Sequence, residues 1–145
     1  MTTHNLSLTY APKIPLVKSG ECTQTIRLHN PDRPKKVGDK LILHTWEGKP
    51  YRSKWDWRLE TEISELILLD WGQTINEAKL SFTQGKNWVP TDELGLKNIA
   101  ISDGIEHPHW MNLMEVLQKL NNKGSIRGTI WDVIRWPKPT IRRVE

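Results

Sequence analysis

Thr25 and Arg27 stand two residues apart in the stretch Gly20-Glu21-Cys22-Thr23-Gln24-Thr25-Ile26-Arg27. In an extended chain that spacing puts both side chains on one face and Ile26 on the other. A hydroxyl beside a guanidinium suits recognition of a phosphate or a base edge, because the planar arginine fork pairs with two acceptors at once. Thr25 also suits a strand simply for its β-branched shape. The stretch holds the single cysteine of the chain. Cys22 would act as a nucleophile only as a thiolate, with cationic neighbours and a base such as His29 or His44; otherwise it packs as a small apolar residue. Asp103, directly before Gly104, adds a carboxylate where a helix is expected to end. His107 and His109 flank Pro108, and a pair at that spacing lacks a third ligand in sequence, so no metal site is expected.

Charge narrows the partner class. The formal charge is +4 and the pI about 9.3, a bias toward polyanions. Cations gather at Arg33, Lys35, Lys36 and Lys40, at Lys49, Arg52, Lys54 and Arg58, and at Arg135, Lys138, Arg142 and Arg143, whereas acidic residues concentrate between Glu60 and Glu115. If the early and late segments meet, one face is basic; the plain alternative is a mixed, solvated surface. There are eight tryptophans, more than a core of this size needs. Trp55 and Trp57, two apart in a strand pattern, and Trp131, in the apolar run Ile126 to Ile134, read as core. Trp46 lies in a turn-like segment near Lys49 and Arg52, where it could stack on a base, an interaction of ~1–3 kcal/mol.

The elements that must position these groups follow from local pattern. Asn5 to Tyr10 alternates as a short strand, Ile14 to Lys18 is a helical turn ended by Gly20, and Cys22 to Leu28 is a strand. A proline-containing loop, His29 to Lys36, leads to Gly38-Asp39 and a strand over Lys40 to Trp46. Arg52 to Leu69 gives the clearest period-two run, and Glu77 to Phe82 a short strand with Ala78, Leu80 and Phe82 in step. Thr91 reads as the N-cap of a helix that stops at Gly104, and a second helix from Pro108 carries Trp110, Leu113, Met114, Leu117 and Leu120. Ile126 to Trp136 closes the chain as a strand. Segregated helices among mostly antiparallel strands argue for an α+β fold.

Three stretches resemble the ASCH domain family, a relative of the PUA fold: Gly20 to Arg27, matching Gly-x-Lys-x-x-Glu/Thr-x-Arg at Gly20, Thr25 and Arg27; Val37-Gly38-Asp39-Lys40-Leu41; and Ala100-Ile101-Ser102-Asp103-Gly104 through Trp110 to Trp136. The resemblance spans most of Ile14 to Trp136. It implies a small PUA-like, mostly antiparallel β-barrel with two or three short helices and a cleft for RNA or a nucleoside. Some bacterial members are amidohydrolases that deacylate the exocyclic nitrogen of cytidine with a lysine, a threonine and a glutamate. By position Thr25 matches the threonine and Asp103 falls where the glutamate stands. Cys22 occupies the lysine position, and a thiol supplies neither the charge nor the basicity of an amine.

With 145 residues, 37% apolar and 26% charged, the chain suits one globular domain, with a core from about 14 to 136 and flexible ends. No apolar run approaches the ~20 residues of a spanning helix, and Met1 to Tyr10 lacks a signal-peptide pattern, so residence in the cytoplasm and no membrane partner are expected. The lone cysteine fits a reducing compartment. Phosphate-binding glycine loops, dinucleotide fingerprints and the Gly-x-Ser-x-Gly elbow are absent from the sequence, and no cofactor is expected. The expected function is binding of single-stranded RNA, or a nucleotide, in a cleft framed by Thr25, Arg27, Lys40 and Asp103. Its rim is expected to comprise Lys18, Lys35, Lys36, Trp46, Arg52 and Lys54. The alternatives are a hydrolase using the same cleft, on an N4-acylated cytidine or on RNA, with Thr25, Asp103 and Cys22 as catalytic candidates, and a protein-interaction module built on the tryptophans.

Overall fold

The computed structural model describes residues 2–8, 11–49, 53–72, 77–104, 113–114, 116–117 and 128–138. In chain order these give β1 (Thr3–Ser7), α1 (Ile14–Ser19), β2 (Gln24–Leu28), β3 (Lys40–Trp46), β4 (Trp55–Glu62), β5 (Glu65–Asp70), β6 (Lys79–Ser81), β7 (Trp88–Pro90), α2 (Glu93–Ser102) and β8 (Ile130–Arg135). The fold is α+β. The strands form a three-stranded sheet, β1-β3-β4, and a five-stranded sheet, β2-β8-β5-β6-β7. All pairs are antiparallel except β1 with β3. Among the described residues these two sheets do not join into one closed ring.

Two apolar clusters explain the arrangement. Ile26, Ile67, Leu69, Leu80, Trp131 and Val133 share one face of the larger sheet, and α2 packs there through Leu96, Ile99 and Ala100 together with Leu113 and Leu117. The other face offers Leu66 and Ile134 to Leu41 and Leu43 of the smaller sheet, with Val17 of α1 and Cys22 completing the cluster. Covered on both sides, β5 is an unbroken apolar run from Leu66 to Leu69, and β8 is buried at every position from Trp131 to Ile134, the charged Asp132 included.

Several boundaries differ from the sequence reading. The long run Arg52 to Leu69 is two strands in different sheets, broken at Ile63-Ser64. There Ile63 exchanges backbone hydrogen bonds with Gly38 and Asp39, and Ser64 N–H turns to the Arg135 carbonyl. Opposite the step from Thr45 to Trp46, Asp56 is left out of the ladder, and this bulge puts Trp55 and Trp57 on opposite faces. Trp55 is therefore exposed and Trp57 half-buried, whereas Trp131 is buried as expected. Phe82 is 59% exposed, out of step with buried Ala78 and Leu80. Asp92, not Thr91, caps α2 by accepting from Gly95 N–H at 2.8 Å. Residues 105–112 and 118–127 lie outside the described residues, and with them Trp110, Leu120, His107, His109 and Ile126.

Gly20 ends α1 in a left-handed turn, φ 83°, and its N–H bonds to the Val17 carbonyl. Gly104 does the same after α2 at φ 71°, where a side chain would meet Leu16 Cδ1 at 3.0 Å and lie next to the Cys22 sulfur. The two turns therefore bring the start of the motif and the end of α2 together.

Candidate functional site

β2 is an edge strand, and its alternation sends the motif residues two ways. Thr25 and Arg27 point with Ile134 and Asp132 toward the smaller sheet, whereas Gln24 shares the α2 face. Thr25 is buried, and its hydroxyl accepts from Arg27 Nε at 3.3 Å. Arg27 continues across the gap and donates through Nη2 to the Ser7 carbonyl of β1. The motif arginine thus ties the edge of one sheet to the edge of the other.

On the opposite side of β2 a buried polar corner forms. Asp103 accepts from Lys13 Nζ at 2.9 Å and from Gln24 Nε2 at 3.3 Å, and Gln24 Oε1 accepts from Arg135 Nε at 2.9 Å. Lys13 and Asp103 are both buried. Burial pushes the Asp103 carboxyl up, while Lys13, Gln24 and the Arg27 charge pull it back. Cys22 is in the same corner, its thiol within 3.4 Å of the Gln24 and Ser102 carbonyls. Burial raises the Cys22 pKa despite the opposing charge of Lys13. This thiol is inert packing, not an activated nucleophile. The amine in this corner comes from Lys13, just before α1. A sequence signal existed: Lys13 is the one cation in an otherwise apolar stretch from Ala11 to Val17.

A second group, of aromatic rings, lies at the far end of β3. His44 is 4% exposed and stacks on Trp55, with ring centroids 3.8 Å apart and planes at 14°. Trp46 meets His44 edge-on at 5.1 Å and Trp55 at 6.3 Å. Among the described residues neither ring nitrogen of His44 has a hydrogen-bond partner, although both are buried. Burial first and the nearby Arg27 charge second lower its pKa, so the ring is neutral, with one donor and one acceptor. The bulge at Asp56, whose carboxylate accepts from the Thr45 hydroxyl, is what turns Trp55 over His44.

The remaining candidates are dispersed. Lys35 is not on a rim: it is buried against Asp132, its Nζ 3.0 Å from the carboxylate. Lys40 is on the outer face of the smaller sheet, 4.0 Å from Glu60, in a hollow shared with Glu62 rather than beside Thr25. Lys18 is exposed and sits 5.7 Å over the Trp57 ring. Lys36 and Lys54 are exposed. Arg52, Arg142 and Arg143 lie outside the described residues. Asp132, which sequence reasoning passed over, is 1% exposed and accepts from both Lys35 and His29, the latter at 2.8 Å. A lone acid in the apolar strand Ile130–Arg135 was its signal.

The described residues contain no helix long and apolar enough to cross a membrane. Comparison of the chain with protein-family models, with curated proteins and with solved structures finds no match.

Proposed function

We propose that this protein binds single-stranded RNA, or a nucleotide, as an ASCH-type domain of PUA-like descent, through the surface at the ends of β3 and β4. One observation carries the reading: neutral, buried His44, whose two ring nitrogens have no partner among the described residues, lies beneath exposed Trp55, within reach of the Arg27 charge. A buried polar group without a partner costs ~1–3 kcal/mol, and a base edge offers the complementary donor and acceptor. Trp55 and Trp46 provide stacking surfaces, and Lys49 and Lys54 are exposed nearby in sequence to meet phosphates. Fluorescence titration with a short single-stranded RNA tests it. Replacing Trp55 with Ala should weaken binding by ~1–3 kcal/mol, the usual cost of losing one stacked base. Unchanged affinity in Trp55→Ala and in Arg27→Ala would remove this surface from consideration.

A second reading, hydrolysis of an N4-acylated cytidine, is favoured by Lys13, which restores an amine beside Asp103. That amine is engaged in a buried ion pair, the Cys22 thiol is protonated, and Thr25 is on the other face of β2. Binding without turnover is therefore the expected result of a product assay on N4-acetylcytidine. Release of acetate by the unmodified protein would put the hydrolase first.

A further inference from the structure

A cavity of about 420 Å³ opens at the other end of the smaller sheet, lined by His4, Asp32, Arg33, Lys36 and Asp39 among others. Its volume falls within the ~300–1,000 Å³ range of small-molecule sites and far exceeds what a bare anion needs. Arg33 and Lys36 are exposed, and neither side chain makes an ion pair among the described residues. Asp39, the deeper of the two carboxylates, is already committed: it accepts from His4 Nε2 at 2.9 Å, from Lys36 N–H at 3.0 Å and from Thr2 N–H at 3.4 Å. Asp32 is exposed and its carboxylate has no partner among the described residues, so it remains able to accept from a hydroxyl.

The loop carrying these cations is fixed before any ligand arrives. His29 and Lys35, at its two ends, close on the same buried carboxylate of Asp132, at 2.8 and 3.0 Å. Beyond Lys35, the Lys36 N–H is held by Asp39. Two buried acids thus clamp the segment that presents Arg33 and Lys36, which reduces the ordering cost of binding. The neighbouring hollow of about 410 Å³ makes a useful contrast, since it is lined by Glu60 and Glu62 with Lys40 drawn toward Glu60. Of these two, the first pairs uncommitted cations with an acceptor.

We propose that this cavity binds a sugar phosphate of nucleotide size, its phosphate held by Arg33 and Lys36 and a sugar hydroxyl donated to Asp32. The phosphate belongs either to a free mononucleotide or to the terminal nucleotide of a strand. The site is separate from the aromatic surface: the seven residues of β3 separate the two by roughly 20 Å at ~3.3 Å per residue.

Calorimetric titration of the full chain with uridine 5′-monophosphate, and with uridine as the phosphate-free control, tests the proposal. The monophosphate should bind about tenfold or more tighter than uridine, and the doubly substituted Arg33→Ala, Lys36→Ala protein should lose that difference. Both side chains are exposed, so this variant should fold; its circular dichroism and Tm verify that it has. A parallel pair of hexanucleotides, with a 5′-phosphate or a 5′-hydroxyl, identifies the source. Preference for the phosphorylated strand, erased in the double variant, assigns the site to strand ends; tight monophosphate binding with no difference between strands assigns it to free nucleotides. Equal binding of uridine and its monophosphate together with equal binding of the two strands overturns the proposal, as does wild-type discrimination in the double variant. Trp55→Ala should leave the phosphate discrimination intact, so the two sites can fail independently.

Discussion

His44 carries a cost that the free protein bears without return. Two buried ring nitrogens with no partner among the described residues are unfavourable, and an apolar ring of similar shape would remove that cost. His44→Phe should therefore leave stability unchanged or raise it while RNA affinity falls, a split that denaturation and titration on the same sample would reveal. The sign of the pH effect is fixed as well. The folded state holds His44 neutral with a lowered pKa, while the unfolded chain takes up a proton near 6.5. Stability is therefore lost as pH falls below about 6.5 toward the lower folded value, and His44→Phe should flatten that slope in urea titrations. Asp39 acts further down the scale: burial alone would raise it, but His4, Lys36 and Thr2 together hold it below the ordinary carboxylate range, so its contribution disappears in stronger acid. Cys22, packed under Gly104 with a raised pKa, should react with a thiol reagent only after unfolding.

At the scale of elements, the loop after β2 depends on one acid. Replacing Asp132 with Ala leaves Lys35 and His29 without their shared partner and should cost about 3–5 kcal/mol, measured as a shift in urea midpoint. Much of this organisation was legible in the sequence. β3 occupies Lys40–Trp46, as its pattern indicated, and Gly20 ends α1. What escaped were features decided by partners distant in sequence. The break at Ile63-Ser64 has no Gly or Pro to announce it and is set by hydrogen bonds to Gly38, Asp39 and Arg135. The bulge at Asp56 reverses the face of Trp55, and β7 (Trp88–Pro90) is too short to give a period. In the site, Arg27 and Thr25 were readable as a same-face pair, and Asp103 as a helix-end carboxylate. Lys13 reaches Asp103 across 90 residues of sequence, a pairing that no local spacing encodes.

For the whole molecule, the net charge is less important than its neutralisation. Arg58 and Lys40 are drawn to Glu60, Arg135 to Glu65 and Lys35 to Asp132, so the basic clusters of the sequence do not all remain available. RNA affinity should still fall as salt rises, with a shallow slope set by a few phosphate contacts, and a plot of log K against log salt measures their number. Arg27 gives this surface a mechanical side. The guanidinium whose charge lowers the His44 pKa is also the one that grips the Ser7 carbonyl, so a ligand that competes for it must loosen its hold on β1. By reciprocity, whatever loosens β1 should release Arg27 and tighten binding by the same factor. Amide exchange over Thr3–Ser7 should then quicken when RNA is added, making the first strand of the chain a built-in competitor for its own ligand.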